Sequence, residues 1–216
     1  AMTIYWSGNT GTDSLIRNNN TQNLKNRAGG SDAFAGGVSN EGASTFSFAL
    51  WGSGNTAHTA YSTVLHGKIN SASGHSSSIL NGSGNTIRAH YSIIGNGVYN
   101  RIDARSVHGV ILSGYWNRIS GTSYCSVIIG GSGNTIYGEP ASLPSHFSSI
   151  IGGTKNTIGG IPGPYYPIAA TILGGAYNKV ETNFGVATGF ANITSMPYGV
   201  TMGSNGILVS NPFTLS

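Results

Sequence analysis

Six acids are the first residues to test for chemistry: Asp13, Asp32, Glu41, Asp103, Glu139 and Glu181. Glycoside hydrolysis uses two carboxyls about 5–10 Å apart. Asp103 and Glu181 occupy the same place in a repeating pattern, each three residues after an Asn. Four repeats separate them, on the order of 20 Å at the spacing of stacked strands. Glu139 has no evident carboxyl partner in its own chain, and a pair across a subunit boundary, such as Glu139 with Asp103, is left open. The histidines (58, 66, 75, 90, 108 and 146) show no metal-ligand spacing. His75 and His90 lie one repeat apart and read as a surface ladder. Cys125 is the only cysteine, which excludes an intrachain disulfide and reads as a small hydrophobe in a strand. No phosphate-binding or dinucleotide glycine pattern is present. The chain therefore reads as non-catalytic, with no catalytic residue, metal or cofactor assigned.

Aromatic side chains offer a different chemistry. Tyr99, Trp116 and Tyr177 each sit just before a repeated Asn, where a turn exposes them. Tyr137, Glu139, His146, Phe147, Tyr165 and Tyr166 lie on or beside two inserted segments. Flat rings beside hydroxyls and amides suit sugars: the ring takes the C–H face and the polar groups bond the hydroxyls. These nine residues are the candidate glycan-binding set. The competing reading is that part of them packs between chains; Trp51 suits either.

A repeat must position these residues. Asn recurs at 40, 55, 70, 85, 100, 117, 134, 156, 178 and 192, always three residues after a Gly. An eleventh unit keeps Gly203 and places Gly206 in the Asn column. A short fixed period marks a repeat architecture. Six residues before each Asn the chain is apolar, from Phe34 and Ala49 through Ile128, Ile150 and Ile172 to Val186 and Val200. Two residues after it comes Ala57, Ala72, Ile87, Ile102, Ile119, Ile136, Ile158 or Val180. Strand side chains alternate between faces, so both columns face one interior and the intervening polar column faces out. The Gly-x-x-Asn turn admits two explanations: Asn and Gly both tolerate a left-handed backbone, or the Asn side chains bond from coil to coil.

About fifteen residues hold two short strands and two turns. Stacked units of that size give an all-β fold, a parallel β-solenoid of about 12 coils, on the order of 60 Å long at about 4.8 Å per coil. The column just after the first inward residue is also apolar: Leu50, Leu65, Leu80, Leu112, Ile129, Ile151 and Leu173. A strand apolar on both faces is buried on both, so sister chains are expected to cover the outer stripe, in a homotrimer.

The clearest copies are Val127-Ile128-Ile129-Gly130-Gly131-Ser132-Gly133-Asn134-Thr135-Ile136 and Ser148-Ser149-Ile150-Ile151-Gly152-Gly153-Thr154-Lys155-Asn156-Thr157-Ile158. They resemble the head repeats of trimeric autotransporter adhesins and, more closely, repeats in tail fibres and spikes of phages and large viruses. The resemblance covers about residues 33–206. It implies a left-handed β-roll assembled as a trimer. Two departures stand out: the repeat is 15 rather than about 14 residues, and Asn replaces the adhesin's small residue.

Residues 1–32 read as an irregular cap or incomplete coils, 33–206 as solenoid repeats, and 207–216 as a tail. Segments 137–147 and 159–170 lengthen two successive coils and carry five of the seven prolines. Insertions in solenoids map to one face, often the binding face; the plainer alternative is two tolerated loops. Charged residues are only 7% of the chain, against about 25% in globular proteins. Gly, Ser, Asn and Thr take over solvation, as in extracellular fibres. Ten basic residues against six acids are scattered without a cluster, which argues against nucleic acid. No apolar run is long enough for a transmembrane helix.

The leading expectation is a tail fibre or spike module on a virion tail that attaches to a host cell-surface polysaccharide or glycoconjugate. Alternatives are an adhesin head on a bacterial surface and a polysaccharide depolymerase spike. Ice binding ranks last, because Arg101, Arg118 and Lys179 interrupt the Thr column.

Overall fold

The computed structural model describes residues 15–16, 26–138, 146–159, 167–203, 206 and 208–209. They contain strands, turns and bends and no helix. The chain divides into two compact units, Ala1–Tyr99 and Asn100–Ser216. Each is a parallel β-solenoid, and among the described residues the two together hold about eleven turns rather than about twelve.

In the first unit one ladder runs through Leu15–Ile16, Phe34–Ala35, Phe48–Ala49, Thr63–Val64, Ser78–Ile79 and Ile93–Ile94. A second runs through Arg27–Ala28, Glu41–Gly42, Thr56–Ala57, Ser71–Ala72 and Thr86–Ile87. The second unit repeats the plan. One ladder joins Val110–Ile111, Val127–Ile128, Ser149–Ile150, Thr171–Ile172, Val186–Gly189 and Val200–Gly203. The other joins Arg101–Ile102, Arg118–Gly121, Thr135–Gly138, Thr157–Ile158, Lys179–Val180, Ile193–Thr194 and Leu208–Val209.

One side chain per strand points inward. Val64, Ile79 and Ile94, and then Ile111, Ile128, Ile150 and Ile172, are wholly buried. Ile87, Ile102, Ile119, Ile136, Ile158 and Val180 fill the interior from the other ladder. β-Branched residues suit such strands because their stiff side chains stack well on a pleated surface. The earliest turns are narrower inside: Ala35, Ala49 and Ala57 replace Ile, and a Cβ on Gly42 would lie 2.8 Å from the Phe34 carbonyl.

Three turns are set one residue differently from the expected column. The inward residues are Ala35, Ala187 and Thr201, not Phe34, Val186 and Val200. Turns of 14 residues drop one residue between the inward position and the glycine, so counting back from the Asn overshoots by one. Thr201 meets Thr194 inside, with hydroxyl oxygens 2.7 Å apart.

The Asn column works through its side chain. In the second unit the backbone N–H groups of Asn117, Asn134, Asn156, Asn178 and Asn192 each donate to the Oδ1 of the preceding Asn, at 3.0–3.1 Å. Asn40, Asn55, Asn70 and Asn85 do the same in the first unit, and Asn26, outside the column read from sequence, starts that series. Each Nδ2 spans two turns: that of Asn134 donates to Gly130 O in its own turn and to Gly153 O in the next, both at 3.0 Å. None of these asparagines has positive φ. The left-handed residue is the one before: Ser39, Gly54, Ile69, Gly84 and Tyr99, then Trp116, Gly133, Lys155, Tyr177 and Ala191. Gly206 belongs to that set too. Its φ is 70°, and its amide donates to Phe190 O as the Ala191 amide donates to Ala176 O. It is therefore not a substitute for Asn, and the ladder, not backbone freedom, explains the column.

Candidate functional site

Each turn has two corners, and both use a left-handed residue whose side chain projects outward. The corner before the Asn carries a ladder of single bridges; in the second unit it links Tyr115, Ser132, Thr154, Ala176 and Phe190. Beside it runs the left-handed column Trp116, Gly133, Lys155, Tyr177 and Ala191. Trp116 is 60% exposed, and Tyr115, Tyr177 and Phe190 are each about half exposed. Tyr115 and Trp116 rings lie 6.0 Å apart, and Tyr177 meets Phe190 edge-on at 5.8 Å. The Lys155 ammonium stands 5.3 Å from the Tyr177 ring centre and 3.4 Å from its hydroxyl. In the first unit Tyr99 lies over Gly84, where an added Cβ would sit 2.5 Å from the ring. That glycine makes room for the tyrosine of the next turn.

The opposite corner precedes a column of buried serines. Ser47, Ser62 and Ser77 each donate a hydroxyl to the carbonyl three residues back, at 2.5–2.6 Å. Just before each serine, or before the glycine that takes its place at Gly185 and Gly199, stands a left-handed residue, often aromatic: Phe46, Tyr61 and Tyr91 in the first unit, Phe147, Phe184 and Tyr198 in the second. Phe46 stacks on Tyr61 at 5.3 Å, and His75 contacts Tyr61, His90 and Tyr91. In the second unit Tyr124 stacks on His146 at 5.1 Å, and Phe184 on Tyr198 at 5.1 Å. Rings stacked face to face turn their edges outward. This column escaped the sequence reading; its signal was the recurring aromatic–Ser pair at 46–47, 61–62 and 91–92.

The candidate residues therefore divide among several surfaces. Trp116 and Tyr177 share the corner before the Asn in the second unit, and Tyr99 has the same position in the first. His146 and Phe147 lie at the opposite corner. Tyr137 faces out from the strand Thr135–Gly138, paired with Ser120. Glu139, Tyr165 and Tyr166, and most of both insertions, lie outside the described residues.

Of the other acids, Glu41 in the first unit and Asp103 and Glu181 in the second are ion-paired. Asp103 accepts from Arg101 Nε at 2.5 Å through one oxygen and from Arg118 Nη2 at 2.6 Å through the other. Glu181 pairs with Lys179. Among the described residues no cluster of His, Cys, Asp and Glu could hold a metal ion, and no helix is long and apolar enough to cross a membrane.

The outer apolar stripe is fully formed. Leu65 and Leu80 in the first unit, and Leu112, Ile129, Ile151 and Leu173 in the second, are 38–50% exposed beside wholly buried neighbours. Compared with known proteins, the chain matches no family model and no curated sequence.

Proposed function

We propose that this chain is the receptor-binding part of a viral or phage tail fibre or spike. It attaches to a host cell-surface glycan, breaks no bond, and acts as a homotrimer. The observation that carries the reading is the corner of the second unit where Tyr115, Trp116, Tyr177 and Phe190 stand exposed on a regular scaffold. Rings there meet the Ser132 and Thr154 positions and Lys155, a mixture of apolar faces and polar tips suited to sugars. Repetition along a solenoid lets one polymeric ligand engage several turns, and three chains multiply the effect through effective concentration.

Support for assembly comes from the stripe Leu112, Ile129, Ile151 and Leu173. A continuous row of exposed apolar side chains on a sheet face marks an interaction surface. Sister chains related by symmetry would place the same row on each partner.

The test is attachment. Glycan arrays and whole-cell binding with the intact chain should give a signal that falls when Trp116 and Tyr177 are both changed to Ala, with far-UV circular dichroism unchanged. Removal of 137–147 or 159–170 is a second probe. No binding to any glycan or host cell, or attachment indifferent to all of these changes, refutes the reading. Sedimentation mass tests assembly separately.

A further inference from the structure

The corner of the second unit contains a notch. In the left-handed column, Gly133 stands between Trp116 one turn before and Lys155 one turn after. It has no side chain; the Lys155 stem leans over it, and no Trp116 atom comes within 4 Å of where its Cβ would be, so the corner opens on the Trp116 side above the Ser132–Gly133 backbone. The residues on either side are two turns apart, about 10 Å. Less the half-thickness of each wall and the lean of the Lys155 stem, that leaves on the order of 4–5 Å, about the thickness of one sugar ring on edge. One wall is an exposed indole. The other is the Lys155 stem, whose Cγ lies 3.4 Å from where a Gly133 Cβ would be.

The charge in this notch is the informative part. Arg101, Arg118 and Lys179 of this unit are each paired with a carboxylate. Lys155 has no carboxylate partner among the described residues; its ammonium is instead held by the Tyr177 ring and hydroxyl. A ring contact steadies a cation without neutralising it. The ammonium thus rests on Tyr177 one turn beyond Lys155, exposed and held only by a ring and a hydroxyl, from which it can reach an anion in the slot.

We propose that this notch binds an anionic sugar residue, one bearing a carboxylate or a sulfate, within a surface polysaccharide. The sugar ring packs against Trp116, its anionic group accepts from the Lys155 ammonium, and its hydroxyls meet Ser132 and the turn backbone. The inference rests on the glycan-binding reading above and adds to it the class of glycan and the residue that selects it.

Affinity electrophoresis and titration calorimetry with the intact chain test it. The probes are alginate and polygalacturonate for carboxylates, dextran sulfate for sulfates, and dextran as the neutral reference. Carboxylated or sulfated polymer should bind and dextran should not, and the responsive arm identifies the anion. Lys155→Gln should weaken binding about tenfold, the loss of one charge-assisted hydrogen bond, and Lys155→Arg should restore most of it. Trp116→Ala should weaken binding as well. The decisive variant is Gly133→Asn, which tolerates the left-handed backbone, keeps every charge and fills the slot; it should abolish binding. Polyanion binding that Gly133→Asn leaves intact is diffuse attraction to a basic chain and overturns the proposal. So does equal binding of dextran. If neutral glycans bind through Trp116 and Tyr177 while the anionic polymers do not, the notch proposal fails and the glycan-binding reading survives. If no glycan and no host cell binds, both fail.

Discussion

Replacing Asn134 separates the hydrogen-bonding role of the Asn column from a conformational one. Its Oδ1 accepts the Asn156 amide at 3.0 Å, and its Nδ2 donates to Gly130 O and Gly153 O. Asn134→Ala removes all three bonds. Gly153 O keeps a partner in the Ser132 amide at 2.9 Å. The Asn156 amide, on a wholly buried residue, loses its acceptor, and Gly130 O loses the Asn donor. An orphaned buried group costs about 1–3 kcal/mol. Gly130 is half-buried and water offsets part of its loss, so the total is about 3 kcal/mol. Asn134→Gly should cost at least as much, whereas a conformational role would make Gly neutral. Asn134→Asp turns a donor into a carboxylate oxygen against two carbonyls. Burial there raises the carboxyl's folded-state value above its unfolded value of about 3.9. Its stability relative to wild type is then greatest below about pH 3.9 and declines as pH rises through the folded value. Guanidinium unfolding followed by far-UV circular dichroism, at pH 3 and pH 7, reads all three variants. Asn134→Gly within about 0.5 kcal/mol of wild type, or an Asp variant no better relative to wild type at pH 3 than at pH 7, refutes the reasoning.

Other expectations follow from the same geometry. Ile128→Ala should cost about 2–5 kcal/mol in chemical denaturation because Ile128 is wholly buried. Changing Ile129, Ile151 and Leu173 together to Ser should leave the secondary structure intact and lower the sedimentation mass; an unchanged mass counts against a shared apolar seam. Ile69 is a β-branched residue at φ 55° and is 61% exposed, so Ile69→Gly should raise the denaturation midpoint, by about 1 kcal/mol in stability once the entropy of glycine is subtracted. Thr194→Val leaves the buried Thr201 hydroxyl only the Val186 carbonyl, at 3.4 Å, and should cost about 1 kcal/mol, whereas Val at both positions removes both hydroxyls and should cost less than that, as thermal melts can show.

The turn and its interior were legible because Ile128, Ile150 and Ile172, and Ile119, Ile136 and Ile158, repeat one residue type at a fixed offset from the Asn. The frame slipped at Phe34, Val186 and Val200, where a turn loses a residue on one side of the glycine only. Nothing in a Gly-x-x-Asn spacing separates a left-handed Asn from a bonded one, and the positions that are left-handed carry Tyr, Trp, Lys and Ile, residues that seldom adopt that backbone. Trp116 and Tyr177 were recognisable as corner residues from their place before the Asn. The opposite-corner column was hidden because Ser76, His108, Cys125 and Ala169 interrupt its aromatics, and because a longer turn moves Phe147 to thirteen residues after the Asn where Tyr61 and Tyr198 lie six after it.

Within each unit the ladder amides donate toward the following turn, as Arg27 N does to Asn40 O and Arg118 N to Asn134 O, whereas the Asn side chains run the other way, Asn26 Oδ1 accepting from Asn40 N and Asn117 Oδ1 from Asn134 N. A finished turn thus presents both ladder donors and an Asn acceptor to the turn that follows, so the structure can grow one layer at a time in the order of synthesis. Because successive turns present the same set of donors and acceptors, a turn is an interchangeable module: a duplicated stretch such as 71–85 should enter as one more layer, so that reach becomes a quantity adjustable by gene length alone.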